Sequence, residues 1–227
     1  MLFLISTASF GAEDLPRLNA ADSLFDEEKY TEAMESYLSL FEDDFSTPSM
    51  LLKMAYVADA TGNYPFALYY LDRYYKISGD RLTVGKIKDL AEANDLSGYV
   101  YSDVDYLAAV FSKYKIVVFA LILAVLLSLT FYTYKKAHLG ERPYAVLVIQ
   151  FFLGGVLFIM VNFKTEEKAI IISNQSLLRS GPSAGAEPVT VIDRGHKITI
   201  LEKSDVWSRI LWDGDEVFIR SSRIKLI

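Results

Sequence analysis

The 227-residue sequence contains no cysteine and only two histidines. Without cysteine there is no disulfide, no thiol nucleophile and no thiolate metal ligand. His138 and His196 are separated by a long apolar segment and fall on opposite sides of it, so they cannot share a metal or assist one another. No GxSxG, HExxH or Walker A pattern is present. Basic charge is also scarce. The formal net charge is −6, and residues 13–112 carry 19 acidic against 8 basic side chains. From residue 164 onward, 10 basic and 9 acidic residues nearly cancel. Neither part has the basic stripe that nucleic acid requires. Carboxylate pairs such as Glu27-Glu28 and Asp43-Asp44 read as solvated surface. The expectation is therefore a protein that is not an enzyme, with no cofactor, no metal site and no nucleic-acid partner.

Charge is missing altogether from two long runs, 116–134 and 144–163. Each is close to the ~20 residues that cross a bilayer as a helix. A soluble helix of that length normally keeps a polar stripe, and these keep only scattered Ser, Thr, Gln and Asn. Residues 135–143 are too few for a domain, so the runs read as a transmembrane hairpin with a short loop. A helix from Asp103 runs unbroken into the first span. Everything before and after the hairpin then lies on one side of the bilayer. The loop carries Lys135, Lys136 and Arg142 against Glu141. The outer flanks carry Lys113, Lys115, Lys164 and Lys168, tempered by Glu166 and Glu167. The positive-inside rule places the loop in the cytoplasm. Gly154-Gly155 offers close packing against the first helix or against another protein's helix. Residues 1–12, with Ser9 and Gly11 at the −3 and −1 positions, read as a signal peptide that lacks a positive start.

The first soluble part, residues 13–98, repeats with a period of 34: Ala21 recurs as Ala55, Tyr30 as Tyr64 and Ala33 as Ala67. Alanines at those positions let helices approach closely. Ser46-Thr47-Pro48 starts a helix. A capping helix is expected at 81–96, with Leu82, Ile87, Leu90 and Ala91 inward. In the tyrosine cluster 69–75, helical spacing puts Tyr74 with Leu71 in the core and leaves Tyr70 and Tyr75 exposed. Gly62, Tyr64 and Ala67 match the tetratricopeptide pattern, so the region resembles tetratricopeptide repeats. That resemblance implies a partner-binding groove at Asp22, Phe25 and Asp26 from the first copy, and Leu52, Tyr56 and Asp59 from the second.

After residue 168 the pattern changes to period two, with strand candidates at 169–172, 188–192, 197–201, 207–212 and 217–220. LLRSGPSAG reads as a loop, Asp193-Arg194-Gly195 as a turn and Asp213-Gly214 as a hairpin turn. Residues 168–227 therefore form a small all-β SH3-like barrel. Leu178-Arg179-Ser180-Gly181-Pro182-Ser183, Ile192, Gly195, Ile198, Ile200, Trp207 and Ile210 resemble bacterial SH3 domains. Glu216-Val217-Phe218 stands where that family has Gly-Trp-Val, a Trp that commonly lines the ligand face. Trp207 is expected in the core, and Trp212 and Arg179 on the barrel surface.

Taken in order, a signal, an all-α tetratricopeptide-like solenoid, a two-helix transmembrane hairpin and an SH3-like barrel resemble BatE-type proteins of Bacteroides-aerotolerance operons. The resemblance implies a multi-domain protein of the bacterial inner membrane, with both soluble domains periplasmic and the loop cytoplasmic. It implies a non-catalytic adaptor for membrane proteins with von Willebrand A domains and, indirectly, a MoxR-type AAA+ ATPase. The alternative is an envelope sensor whose barrel binds peptidoglycan or a wall peptide. Contact between the two soluble domains is left open.

Overall fold

The computed structural model describes residues 13–101, 103–162 and 166–227. The stretch read as a signal, residues 1–12, and the flanking Lys164 lie outside the described residues. Residues 13–101 fold together with Glu166–Ile227 as one compact unit, and residues 103–162 form another.

The first unit opens with five helices: α1 Asp14–Asp26, α2 Tyr30–Glu42, α3 Pro48–Ala60, α4 Tyr64–Ser78 and α5 Arg81–Ala93. Short turns join them, and each helix packs on the next. Ala21, Ala33, Ala55 and Ala67, the small residues of the 34-residue period, are all buried where the helices approach. At the start of α3 the Thr47 side chain accepts a hydrogen bond from Met50 N, and Pro48 occupies the first turn, where no donor is needed.

Two expectations about helix faces are corrected. Asp80 caps α5, accepting from Leu82 N and Thr83 Oγ1. That cap turns Thr83, Ile87 and Ala91 inward at four-residue spacing, and it leaves Leu82 81% exposed and Leu90 half-buried. On α4, Tyr70 and Tyr75 are buried and Tyr74 is only half-buried, the reverse of the single-stripe reading. Tyr70 sits among the rings of Phe41, Phe66 and Tyr69. Tyr75 meets Tyr101 edge-on at 5.5 Å. The physical reason is that α4 is covered on two sides, by its helical neighbours and by the β-sheet, so its apolar surface is wider than one stripe.

The sheet is formed by β1 Glu167–Ile171, β2 Ser176–Arg179, β3 Pro188–Ile192, β4 Lys197–Lys203, β5 Trp207–Trp212, β6 Asp215–Arg220 and β7 Ile224–Leu226. It is antiparallel throughout, in the order β3-β2-β6-β5-β4-β1-β7. Asp213-Gly214 closes the β5–β6 hairpin, with Trp212 opposite Asp215. Five strands were expected, and β2 and β7 are the additions. β2 overlaps the start of the stretch that reads as a loop, and β7 has only three residues, too few to show a period. Ala169, Ile171, Leu178, Ile192, Ile198, Ile200, Ile210, Val217, Ile219 and Ile224 make the core. Trp207 is not among them. It is half-buried beneath the Arg220 guanidinium, which stacks 5.6 Å from its ring. Strand β1 is buried on both faces. Ala169 and Ile171 enter the sheet core, while Ile170, fully buried on the opposite side, lies where β1 packs on α4.

The second unit contains α6 Asp103–His138 and α7 Tyr144–Asn162. α6 continues through residues expected to be loop, so the connection is 139–143 and not 135–143. Lys135, Lys136 and His138 fall in its last turn, where cations complement the exposed carbonyls. Tyr114–His138 and Tyr144–Asn162 are long and apolar enough to cross a membrane. The helices pack together, and Gln150 Nε2 donates to Thr130 Oγ1 at 2.9 Å. A Cβ on Gly154 or Gly155 would meet nothing within 4 Å, so these glycines do not mediate the α6–α7 contact.

Candidate binding surfaces

The groove residues expected on the first helices are brought close together, but they do not have one common role. The rings of Phe25, Tyr30 and Tyr56 meet pairwise, edge to face, with centroids 5.3, 5.9 and 5.8 Å apart. Lys53 places its ammonium 5.1 Å from the Phe25 ring centre and 2.9 Å from Asp22. Asp22 also accepts from the Tyr37 hydroxyl at 2.5 Å. Asp22 is therefore engaged within the fold, and burial beside this carboxylate pushes the Tyr37 phenol well above its ordinary range. Leu52, Tyr56 and Asp59 follow one another along a single face of α3 and are exposed, as is Asp26 on α1. Phe25 is half-buried. The surface left open is thus an aromatic and aliphatic strip, Phe25–Leu52–Tyr56, with acidic ends.

The two residues expected on the barrel surface have other occupations. Arg179 is half-buried, and its guanidinium donates to the Ala186 carbonyl at 2.6 Å, tying down the β2–β3 loop. Trp212 is half-buried against the sheet core and meets the His196 ring edge-on at 5.3 Å. It lines a cleft of about 230 Å³ together with Ser97, Gly98, Lys168, Lys197 and Asp213.

That cleft belongs to the junction between sheet and helices, which holds the most demanding chemistry in the first unit. Lys197 Nζ lies 2.7 Å from Asp72 Oδ1, and both side chains are almost wholly buried, at 5% and 2% exposure. The Tyr101 hydroxyl donates to the same Asp72 oxygen at 2.5 Å and accepts from Lys197 at 3.1 Å. The ammonium also lies over the Tyr101 ring, 4.5 Å from its centre. Burial, and then the adjoining Asp72 charge, drive the Tyr99 and Tyr101 phenols far above their ordinary range, so both act as neutral donors. Around this centre, Lys76 donates to the Ile227 carbonyl at 2.8 Å, and Arg194 stacks on Tyr64 at 4.9 Å. Asp72 belongs to an α4 face shared with Tyr69 and Lys76. An acidic residue at a core spacing from Leu68 was the one signal in the sequence that pointed to it. Strand alternation turns Lys197 away from the core residue Ile198, which gave no hint that another layer covers it.

His196 gives the junction a pH dependence. Its Nδ1 accepts a hydrogen bond from Ser97 N at 3.0 Å, which requires that nitrogen to be unprotonated. Burial holds the imidazole below its ordinary value of 6.5, partly offset by the Asp193 and Asp213 carboxylates. The folded chain therefore binds this proton less readily than the unfolded chain. Stability linked to His196 is complete above about pH 6.5 and is lost as pH falls through that value toward the lower folded one. Melting temperatures measured from pH 7 to pH 5 should fall for the native chain. His196→Asn, which keeps an acceptor that does not titrate, should give a flatter profile over the same range.

Residues 177–225 match the bacterial SH3 domain family, so β2 through most of β7 form an SH3-like domain, and β1 lies outside that match. No curated protein and no solved structure matches the chain. A bacterial SH3 domain points to binding of a protein or of peptidoglycan.

Proposed function

We propose that the chain is a non-catalytic membrane scaffold. In this reading α6 and α7 cross the bilayer as a hairpin, and the helical layer and the SH3-like domain together form one binding module on its outer side. The observation that carries the reading is the α6–α7 pair. Phe151, Phe152 and Phe158 of α7 are 86%, 71% and 70% exposed, a surface that water would penalise and lipid would not. A hairpin brings the chain back to the side it left. That fits the folding of residues 13–101 with Glu166–Ile227 as one unit.

The helical part, read as tetratricopeptide-like repeats, offers the Phe25–Leu52–Tyr56 strip to a partner. The resemblance to BatE-type proteins supplies the kind of partner: membrane proteins with von Willebrand A domains and, through them, a MoxR-type ATPase of an envelope stress-tolerance system. Single cysteines at Ser49 and Ser183, both exposed, test the topology in a chain without native cysteine. Labelling of both in intact cells by a membrane-impermeant maleimide is the expected result. Labelling of both only after lysis would place the module in the cytoplasm and overturn an envelope role. Co-purification from detergent should then recover partners with von Willebrand A domains.

The bacterial SH3 match favours a second reading, in which the barrel binds cell wall. Sedimentation of the detergent-solubilised chain with purified peptidoglycan would favour it over the scaffold.

A further inference from the structure

The segment between α5 and α6 sits on the SH3-like domain as a bound peptide would. Ser97 is held on both sides of its main chain: its carbonyl accepts from Lys197 N at 3.0 Å, and its N–H donates to His196 Nδ1. Beyond it the side chains alternate. Tyr99 is buried and its hydroxyl donates to the Gly195 carbonyl at 2.6 Å, Val100 is 82% exposed, and Tyr101 turns back to Asp72 and Lys197. Main-chain hydrogen bonds combined with pockets for alternate side chains are how a domain reads an extended peptide.

Two glycines make the fit exclusive. Gly98 has φ +92°, and a Cβ there would stand 1.9 Å from the Lys197 carbonyl oxygen. Gly195 has φ +101°, and its Cβ would stand 2.7 Å from the Tyr64 ring and 2.9 Å from Leu96. Neither position accepts any other residue without moving backbone or a packed ring. The sequence so read is Ser-Gly-Tyr-x-Tyr.

We propose that the Gly195–Lys197 corner of the SH3-like domain, with the adjoining Trp212 cleft, is a peptide-binding face. It is occupied in cis by residues 97–101, and release of that segment opens it to a glycine- and tyrosine-containing peptide of a partner protein that turns at its glycine as Gly98 does. The cis segment needs little intrinsic affinity, because a tethered ligand acts at a concentration on the order of millimolar. Ser97, Gly98 and Val100 are exposed, so Tyr99 and Tyr101 are the anchors that release must withdraw, and neither belongs to the sheet core.

The test uses the full-length chain in nanodiscs and a fluorescent peptide of residues 95–102, DLSGYVYS. Wild type should bind the peptide weakly, its face being filled. Gly98→Val should expel the cis segment, seen as faster hydrogen exchange over residues 96–102, and should raise peptide affinity at least tenfold. The peptide carrying the same Gly→Val change should not bind. Tyr99→Ser with Tyr101→Ser provides a second release that removes the anchors without a clash. Released segments without any gain in peptide binding would overturn the proposal. So would segments that stay protected in both variants. Collapse of the domain in both would also overturn it, because the segment would then be part of the fold and not a ligand.

Discussion

Replacing Asp72 by alanine is expected to lower the melting temperature of the first unit by roughly 6–20 °C. The figure follows from a cost of ~3–5 kcal/mol for leaving one member of a buried pair uncompensated, at ~2–4 °C per kcal/mol for a unit of this size. Lys197 would keep its charge beside the Tyr99 and Tyr101 rings at 5.7 and 4.5 Å, and 3.1 Å from the Tyr101 hydroxyl. The loss should be one-sided. Asp72→Leu combined with Lys197→Met removes both charges while filling the same space, and it should return the melting temperature to near the native value, since an apolar pair of similar volume replaces a buried ion pair at little or no cost. Thermal melts followed by tryptophan fluorescence, with Trp212 in the adjoining cleft, would measure all three chains. A single Asp72→Ala variant as stable as the native chain would mean that the pair is solvated and that the sheet does not sit on α4 as described.

Ile170→Ala and Ile171→Ala remove the same atoms from neighbouring positions and should produce different failures. Both side chains are fully buried, so each truncation should cost ~2–5 kcal/mol for lost burial and the cavity left behind. Ile171 belongs to the sheet core with Leu178, Ile198 and Ile210, so its loss should weaken the SH3-like domain itself. Ile170 lies on the other side of β1, where that strand packs on α4 and pairs with Lys197. Its loss should loosen the junction while the sheet stays folded. Hydrogen exchange separates the two outcomes. Ile171→Ala should speed exchange through β2, β4 and β5, whereas Ile170→Ala should speed it first at Ser97–Tyr101 and along α4. If Ile170→Ala left the junction amides as protected as before, only the sheet-core face of β1 would contribute to packing.

Much of this architecture was legible along the chain because it rests on local periodicity. The four alanines of the 34-residue period, the Thr47-Pro48 helix start, the two apolar runs and the Ile192–Ile198–Ile200–Ile210 alternation each declare their element within a few residues. The misreadings share one cause. Tyr70 and Tyr75 read as exposed because a helix wheel assigns one buried face per element. It cannot register a second layer brought in by other segments, as Phe41 is over Tyr70 and Tyr101 over Tyr75.

The same reasoning applies to the candidate sites. Leu52, Tyr56 and Asp59 are groove positions implied by the resemblance to tetratricopeptide repeats, and the structure leaves them exposed on one face of α3. Asp22, Trp212 and Arg179 could be found as residue types suited to binding, but their contacts depend on Lys53, His196 and Ala186, each brought in by the folding of another segment. By itself the sequence determined the helical region, the two long apolar helices, the SH3-like strand pattern and the lack of cysteine chemistry, all of which depend on short-range pattern and composition. Only the tertiary structure decided that the helical layer and the SH3-like domain share a buried ion pair and a peptide-like segment. The energy of that contact depends on desolvating groups that lie 125 residues apart in the chain.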